Sequence, residues 1–100
     1  MLIYVSHPFA GTFRNYQKIR GIVNELSQAH PENAYICPVL LYKDLYYDEP
    51  YEIGINRCLE IEARCDAMIL CDGYENSVGC RAEVRFAEKN NIPIVRYHEN

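Results

Sequence analysis

Four short runs of apolar residues, spaced so that each gap has room for one helix, constrain this chain more than any other feature. They are Leu2 to Ser6, Ala34 to Pro38, Ala67 to Cys71 and Pro93 to Tyr97. After the first, Phe13, Tyr16, Ile19, Ile22 or Val23, and Leu26 recur at three- and four-residue steps, the period of one helix face. His30-Pro31-Glu32-Asn33 breaks that helix, and Pro38 ends the second strand. Pro38 to Pro50 reads as a loop or irregular segment. From about Tyr51 to Cys65 the pattern Ile55, Cys58, Leu59, Glu62 predicts a second amphipathic helix. Ala67-Met-Ile-Leu-Cys71, set between two aspartates, reads as a buried strand, and Asp72 to Ser77 as a polar loop. Gly79 to Asn90 is a third helix with Cys80, Val84 and Ala87 on one side, closed by Asn90-Asn91.

The resulting order β-α-β-α-β-α-β dictates parallel strands, because each connection is a crossover carrying a helix. The expected architecture is a three-layer α/β domain, flavodoxin/Rossmann-like, with a parallel sheet of about four strands ordered 2-1-3-4 and helices on both faces. In that order the winding reverses between the first and third strands, and ligands of such sheets bind at the carboxyl ends of the strands there. Two loops meet at that crevice: Ser6-His7-Pro8-Phe9-Ala10-Gly11 and Asp72-Gly73-Tyr74-Glu75-Asn76-Ser77.

Composition narrows the class of partner. One hundred residues, 49% hydrophobic and 24% charged, make one ordinary folded domain. The net charge is −4 and the ten Lys and Arg are scattered, so no stripe exists to neutralise a polynucleotide backbone. Nowhere do 18 apolar residues run together and no basic leader opens the chain, so a cytoplasmic protein without membrane association is expected. Five cysteines at 37, 58, 65, 71 and 80 contain no C-x-x-C pair. They read as small hydrophobes in a reducing compartment, and the histidines and cysteines lack metal-ligand spacing, which makes a metal enzyme the least favoured class.

The most informative segment is Asn76-Ser-Val-Gly-Cys-Arg-Ala-Glu-Val-Arg-Phe-Ala87, which delivers a loop, a glycine and a helix start into the crevice. Unpaired N–H groups and the helix dipole favour an anion such as phosphate there, with Ser77 or Asn76 adding a donor and Gly79 giving room. Ser77 is equally suited to capping the helix. Glu83 follows about one turn in, able to lean back towards the crevice, and a carboxylate suits attack on an anomeric carbon. An exposed helical glutamate is otherwise an ordinary solvated charge.

Ser77-Val-Gly-Cys-Arg-Ala-Glu83-Val-Arg-Phe-Ala87, followed by Asn91-Ile-Pro-Ile-Val95, resembles the nucleoside 2-deoxyribosyltransferase superfamily, and so does the opening Ile3-Tyr-Val-Ser-His-Pro-Phe-Ala-Gly11. The whole chain is similar to small domains, frequent in phage and Gram-positive genomes, that are grouped with it. The resemblance implies that Glu83 is the catalytic glutamate, forming a covalent deoxyribosyl intermediate. It also implies that Ser77, where transferases acting on free nucleosides carry aspartate, matches the serine with which 2'-deoxynucleoside 5'-phosphate N-hydrolases hold phosphate. No cofactor is required. The chain departs from the family in being short, in Cys80 and Arg81 at the helix start, and in His7-Pro8 in the first loop.

A departing nucleobase calls for a second acid. Asp72, at the crevice edge, is the leading candidate, with Asp44, Asp48 and His7 beside it, and Asp72 is equally suited to capping its own loop. His30 and His98 read as surface residues. Nine tyrosines include Tyr42, Tyr46, Tyr47 and Tyr51 around Asp48-Glu49, suited to a subunit interface or to stacking on a base, and Phe9 is a further stacking candidate. The expected substrate site is therefore Ser6, His7, Pro8, Phe9, Gly11, Asn76, Ser77, Gly79 and Tyr46 around catalytic Glu83 and Asp72, holding a small nucleotide in a homodimer or higher assembly. Three functions compete: an N-glycosidase or deoxyribosyltransferase acting on a nucleoside 5'-monophosphate; a non-catalytic sensor or sponge for a nucleotide or NAD-derived signal; and a protein-interaction module built on the tyrosine-rich segment.

Overall fold

The computed structural model describes residues 1–99. Its central sheet has the order β2-β1-β3-β4, with every neighbouring pair parallel. The strands are β1 (Leu2–Ser6), β2 (Ala34–Ile36), β3 (Ala67–Cys71) and β4 (Ile94–Tyr97). The helices are α1 (Phe13–Ala29), α2 (Val39–Tyr42), α3 (Tyr51–Glu62) and α4 (Val78–Lys89). Register places Ile3 opposite both Tyr35 and Ala67, and Met68 opposite Ile94.

Strand alternation divides the core in two. On one face Tyr4, Met68 and Leu70 pack with Cys65 and Ala87, against Cys58, Ile61 and Val84 of the α3 and α4 layer. On the other, Val5 and Cys71 pack with Ile19, Ile22 and Cys37, against Val39, Leu40 and Ile69. Helices therefore cover both faces, and each large apolar side chain so buried stabilises the fold by about 1.5–3 kcal/mol. No helix among the described residues is long and apolar enough to cross a membrane.

Local chemistry fixes the ends of these elements. The Thr12 side chain caps α1 by accepting from the Asn15 N–H at 3.1 Å. Ser77 caps α4 through the Cys80 N–H at 3.2 Å, so this helix begins one residue before the expected Gly79. After α4, Asn91 takes a left-handed conformation (φ 57°), the turn that ends a helix before β4.

The segment expected to be irregular, 38–50, instead forms α2 and a 3-10 turn over Lys43–Leu45. Pro38 opens it, its fixed φ compatible with a helix start, and the Tyr42 N–H reaches the Pro38 carbonyl at 2.9 Å. One helical turn is too short to declare a period, and Val39 and Leu40 hold it by packing on the lower core.

Gly11 sits in the loop after β1 with φ +72°, and a Cβ there would collide with the Tyr46 and Tyr47 rings. Gly11→Ala is expected to destabilise the domain by about 1 kcal/mol or more, read as a lowered urea midpoint at unchanged m-value.

Candidate functional site

Ser6 and Tyr4 stand two residues apart on β1 and so project to the same face of the sheet, towards α3 and α4. From the opposite side Glu83 enters from the second turn of α4, in line with Cys80 and Ala87, which are both buried. The three meet. The Ser6 hydroxyl donates to Glu83 Oε1 at 2.7 Å and the Tyr4 hydroxyl donates to Oε2. Glu83 is only 7% exposed, so it is no solvated surface charge.

Its acidity reflects opposing influences. Burial pushes the Glu83 carboxyl up, and the hydroxyl bonds from Tyr4 and then Ser6 pull it back, leaving it at about 7. Tyr4 itself, buried beside that carboxylate, is held well above the ordinary tyrosine range and remains a donor. The thiols nearby stay protonated: burial pushes Cys58 up to about 12, and raises Cys80 as well.

Above this carboxyl opens a cavity of about 660 Å³, within the range of small-molecule sites. Its walls come from the loop after β1, the 38–58 segment and the start of α4, and Glu83 is part of its lining. His7, Pro8, Phe9, Tyr46, Asn76, Ser77 and Gly79 of the expected site all line it, while Ser6 lies behind, on Glu83. Phe9 and Tyr46 meet edge to face with centroids 5.0 Å apart. A Cβ at Gly79 would meet nothing closer than Ser77 Oγ at 4.0 Å, so the cavity is open over the first turn of α4. Ser77 serves as cap and wall together, its hydroxyl oxygen accepting from the Cys80 N–H at the edge of the cavity.

Two expected site residues are elsewhere. Gly11 lies outside this cavity, at a smaller hollow between Phe13, Tyr16 and Tyr47, where it lets the aromatic rings approach the backbone. Asp72 does not line the cavity either. Its carboxylate accepts from the Glu99 N–H at 2.9 Å, Arg96 Nη2 at 3.2 Å and His98 Nδ1 at 3.0 Å. These bonds, the Glu99 N–H first, hold its carboxyl below the usual range and make it a fastening for the C-terminal segment. Asp44 belongs to the smaller hollow and Asp48 to neither. His7 lines the cavity, but Nδ1 is 2.7 Å from the Pro8 carbonyl oxygen and Nε2 is 3.0 Å from Glu99 Oε1.

Sequence reasoning passed over several groups. Tyr4 was legible in principle, since a tyrosine two positions from a serine on a central strand shares its face. Arg57 and Glu49 form a bidentate pair at 2.8 Å in the cavity wall, with the guanidinium 4.7 Å over the Tyr42 ring. Glu62 at the end of α3 is fully buried and neither carboxylate oxygen has a hydrogen-bond partner among the described residues. Burial and the neighbouring Glu83 charge push it up to about 8.

The site thus defines an α/β domain with an open parallel sheet covered on both faces and an aromatic-walled cavity over a buried, hydroxyl-bonded carboxyl. A family profile covers residues 1–97, and the chain belongs to that family, described as Domain of unknown function (DUF7768). No curated protein gives a significant match.

Two outcomes follow from the buried carboxyls. Tyr4→Phe removes a donor to the charged form, so the Glu83 midpoint, followed by carboxyl carbon NMR, is expected to move upward. For stability, Glu62 and Glu83 keep their protons in the fold at pH values where the unfolded chain, with glutamates near 4.5, has released them. The unfolded chain then binds fewer protons, so these two groups lower stability as pH rises from about 4.5 to about 8 and leave it level above. Thermal melts should show this slope, and Glu62→Leu should flatten it and raise the melting temperature at pH near 8.

Proposed function

We propose that this domain cleaves the N-glycosidic bond of a nucleoside 5'-monophosphate, by hydrolysis or by transfer of the sugar, through a covalent glycosyl ester on Glu83. The observation that carries this reading is the Glu83 carboxyl itself, set in the lining of a nucleotide-sized cavity and gripped on both oxygens by Ser6 and Tyr4. Such a group is aimed by its bonds and ionises near neutrality, as a nucleophile needs. The resemblance of 77–87 to nucleoside 2-deoxyribosyltransferases favours the same assignment.

Phosphate has a natural place at the other end. The Ser77 hydroxyl proton and the first N–H groups of α4 lie in the cavity wall beside the open Gly79. At about 1.5 Å rise per residue, six residues separate Ser77 from Glu83 by about 9 Å along the helix, less as the side chain leans back. Phe9, Tyr46 and Tyr51 would flank the base. A homodimer is consistent with the exposed Leu41, Tyr47 and Ile53 in the segment that walls the cavity.

Binding without turnover is the second reading, for a nucleotide or an NAD-derived signal. It is favoured by the engagement of Asp72 and His7, two of the candidate acids, in other bonds.

The test is base release, followed by chromatography, from nucleoside 5'-monophosphates with purine, pyrimidine and pyridine bases. Wild type is expected to release base and Glu83→Gln to lose at least ~1000-fold in rate while still binding nucleotide. Turnover unchanged in Glu83→Gln would sink the mechanism, and saturable binding without release in wild type would establish the second reading. The rate on substrate should also rise as pH passes about 7, as Glu83 ionises.

A further inference from the structure

The groups around the cavity that exchange protons are already committed. His7 has both ring nitrogens against acceptors, the Pro8 carbonyl and the Glu99 carboxylate. Glu49 is clasped on both oxygens by Arg57, which holds its carboxyl below the ordinary range, so it carries charge and no proton. Cys58 and Tyr51 are pushed up by burial and are feeble acids. Lys43, the remaining cation of the lining, has its ammonium bonded to Asp44 at 2.9 Å, which raises it and makes it a reluctant acid. A purine or pyrimidine leaving as an anion therefore finds only poor donors among the described lining residues, and general acid assistance is worth about 100- to 10,000-fold.

The same wall suits a flat cation. Phe9, Tyr46 and Tyr51 line it, and Tyr46 and Tyr51 are 47% and 50% exposed. Arg57 balances Glu49 in the same lining and Lys43 stands beside Asp44, so Glu83 is the carboxylate of the lining without a basic partner, and one cation, the Arg57 guanidinium, already lies over the Tyr42 ring.

We propose that the substrate is an N-ribosyl pyridinium 5'-phosphate, of which nicotinamide mononucleotide is the simplest, because its base departs without being protonated. The proposal rests on the Glu83 reading and narrows it to one chemical class. A Glu83 carboxylate oxygen attacks C1' of the sugar while the C1'–N bond breaks, and the bonding pair goes to the pyridinium nitrogen, which becomes neutral. Water then attacks C1', the ester C–O bond returns its pair to Glu83, and the water's second proton goes to solvent. Nicotinamide mononucleotide and water thus yield ribose 5-phosphate, nicotinamide and one proton, with no external acid consumed.

Wild-type protein settles the matter, so no variant needs to fold. Nicotinamide mononucleotide is compared with the purine and pyrimidine ribo- and deoxyribonucleoside 5'-monophosphates by kcat/KM across pH. The expected result is nicotinamide release at least ~100-fold faster than release of any purine or pyrimidine, with one rising limb and no falling limb on the alkaline side. Faster release from a purine or pyrimidine nucleotide, with a bell-shaped profile, would overturn the pyridinium assignment and leave Glu83 chemistry standing. Release from none of them would overturn both.

Discussion

The removal of one carboxyl from water organises this domain. Glu83 can be buried only because β1, the second strand of the sheet, presents a serine and a tyrosine hydroxyl on the face that α4 covers. Without those donors a charge in this position would carry the full cost of desolvation, and the group would stay protonated well above neutrality. With them, burial still prevails but is partly offset, and the carboxyl rests at about 7. The packing of Ala87 and Val84 against Met68 and Leu70 fixes the axial position of α4, and so brings the carboxyl to the hydroxyls. Core packing and site chemistry are here one arrangement.

Glu62 makes sense beside it only in electrostatic terms. A buried glutamate without partners is destabilising, and a leucine of similar size would pack there at less cost. Charge on Glu83 is the specific neighbour that disfavours charge on Glu62, and the reverse holds through the same Coulomb interaction. Burial and the Glu83 charge together hold the Glu62 carboxyl up at about 8, above Glu83 itself. Proteins surrender stability where sites demand unusual environments, and this pair is where this chain does so.

Much of the fold was written in the sequence because its strands are short, strongly apolar and separated by single-helix gaps. Short apolar runs located β1 and β3, three- to four-residue periods located α1 and α4, and the helical crossovers then made the strands parallel. What was not legible depended on length or distance. The turn at 39–42 is too short to show a period and is held by tertiary packing. In the site, Glu83, Ser77, Phe9 and Tyr46 fall in the lining of one cavity, because helix start and loop chemistry are local. Asp72 lies outside it for the opposite reason. Its partners, Arg96, His98 and Glu99, lie more than twenty residues away, and nothing local distinguishes an aspartate facing a cavity from one facing a distant strand end.

That fastening also explains which part of the crevice is open. Asp72 follows β3 and His7 follows β1, the two strands between which the winding reverses, and Glu99 bonds to both through its backbone N–H and its carboxylate. Lys18 of α1 adds a contact to the same carboxylate at 3.9 Å. Chain arriving from β4 thus closes the gap between the β1 and β3 loops. The free space lies instead against the 38–58 segment that follows β2, where aromatic and aliphatic side chains form the wall. That space lies across the start of α4 rather than over the C-terminal fastening. The strap therefore holds Asp72 away from the cavity that Glu83 lines.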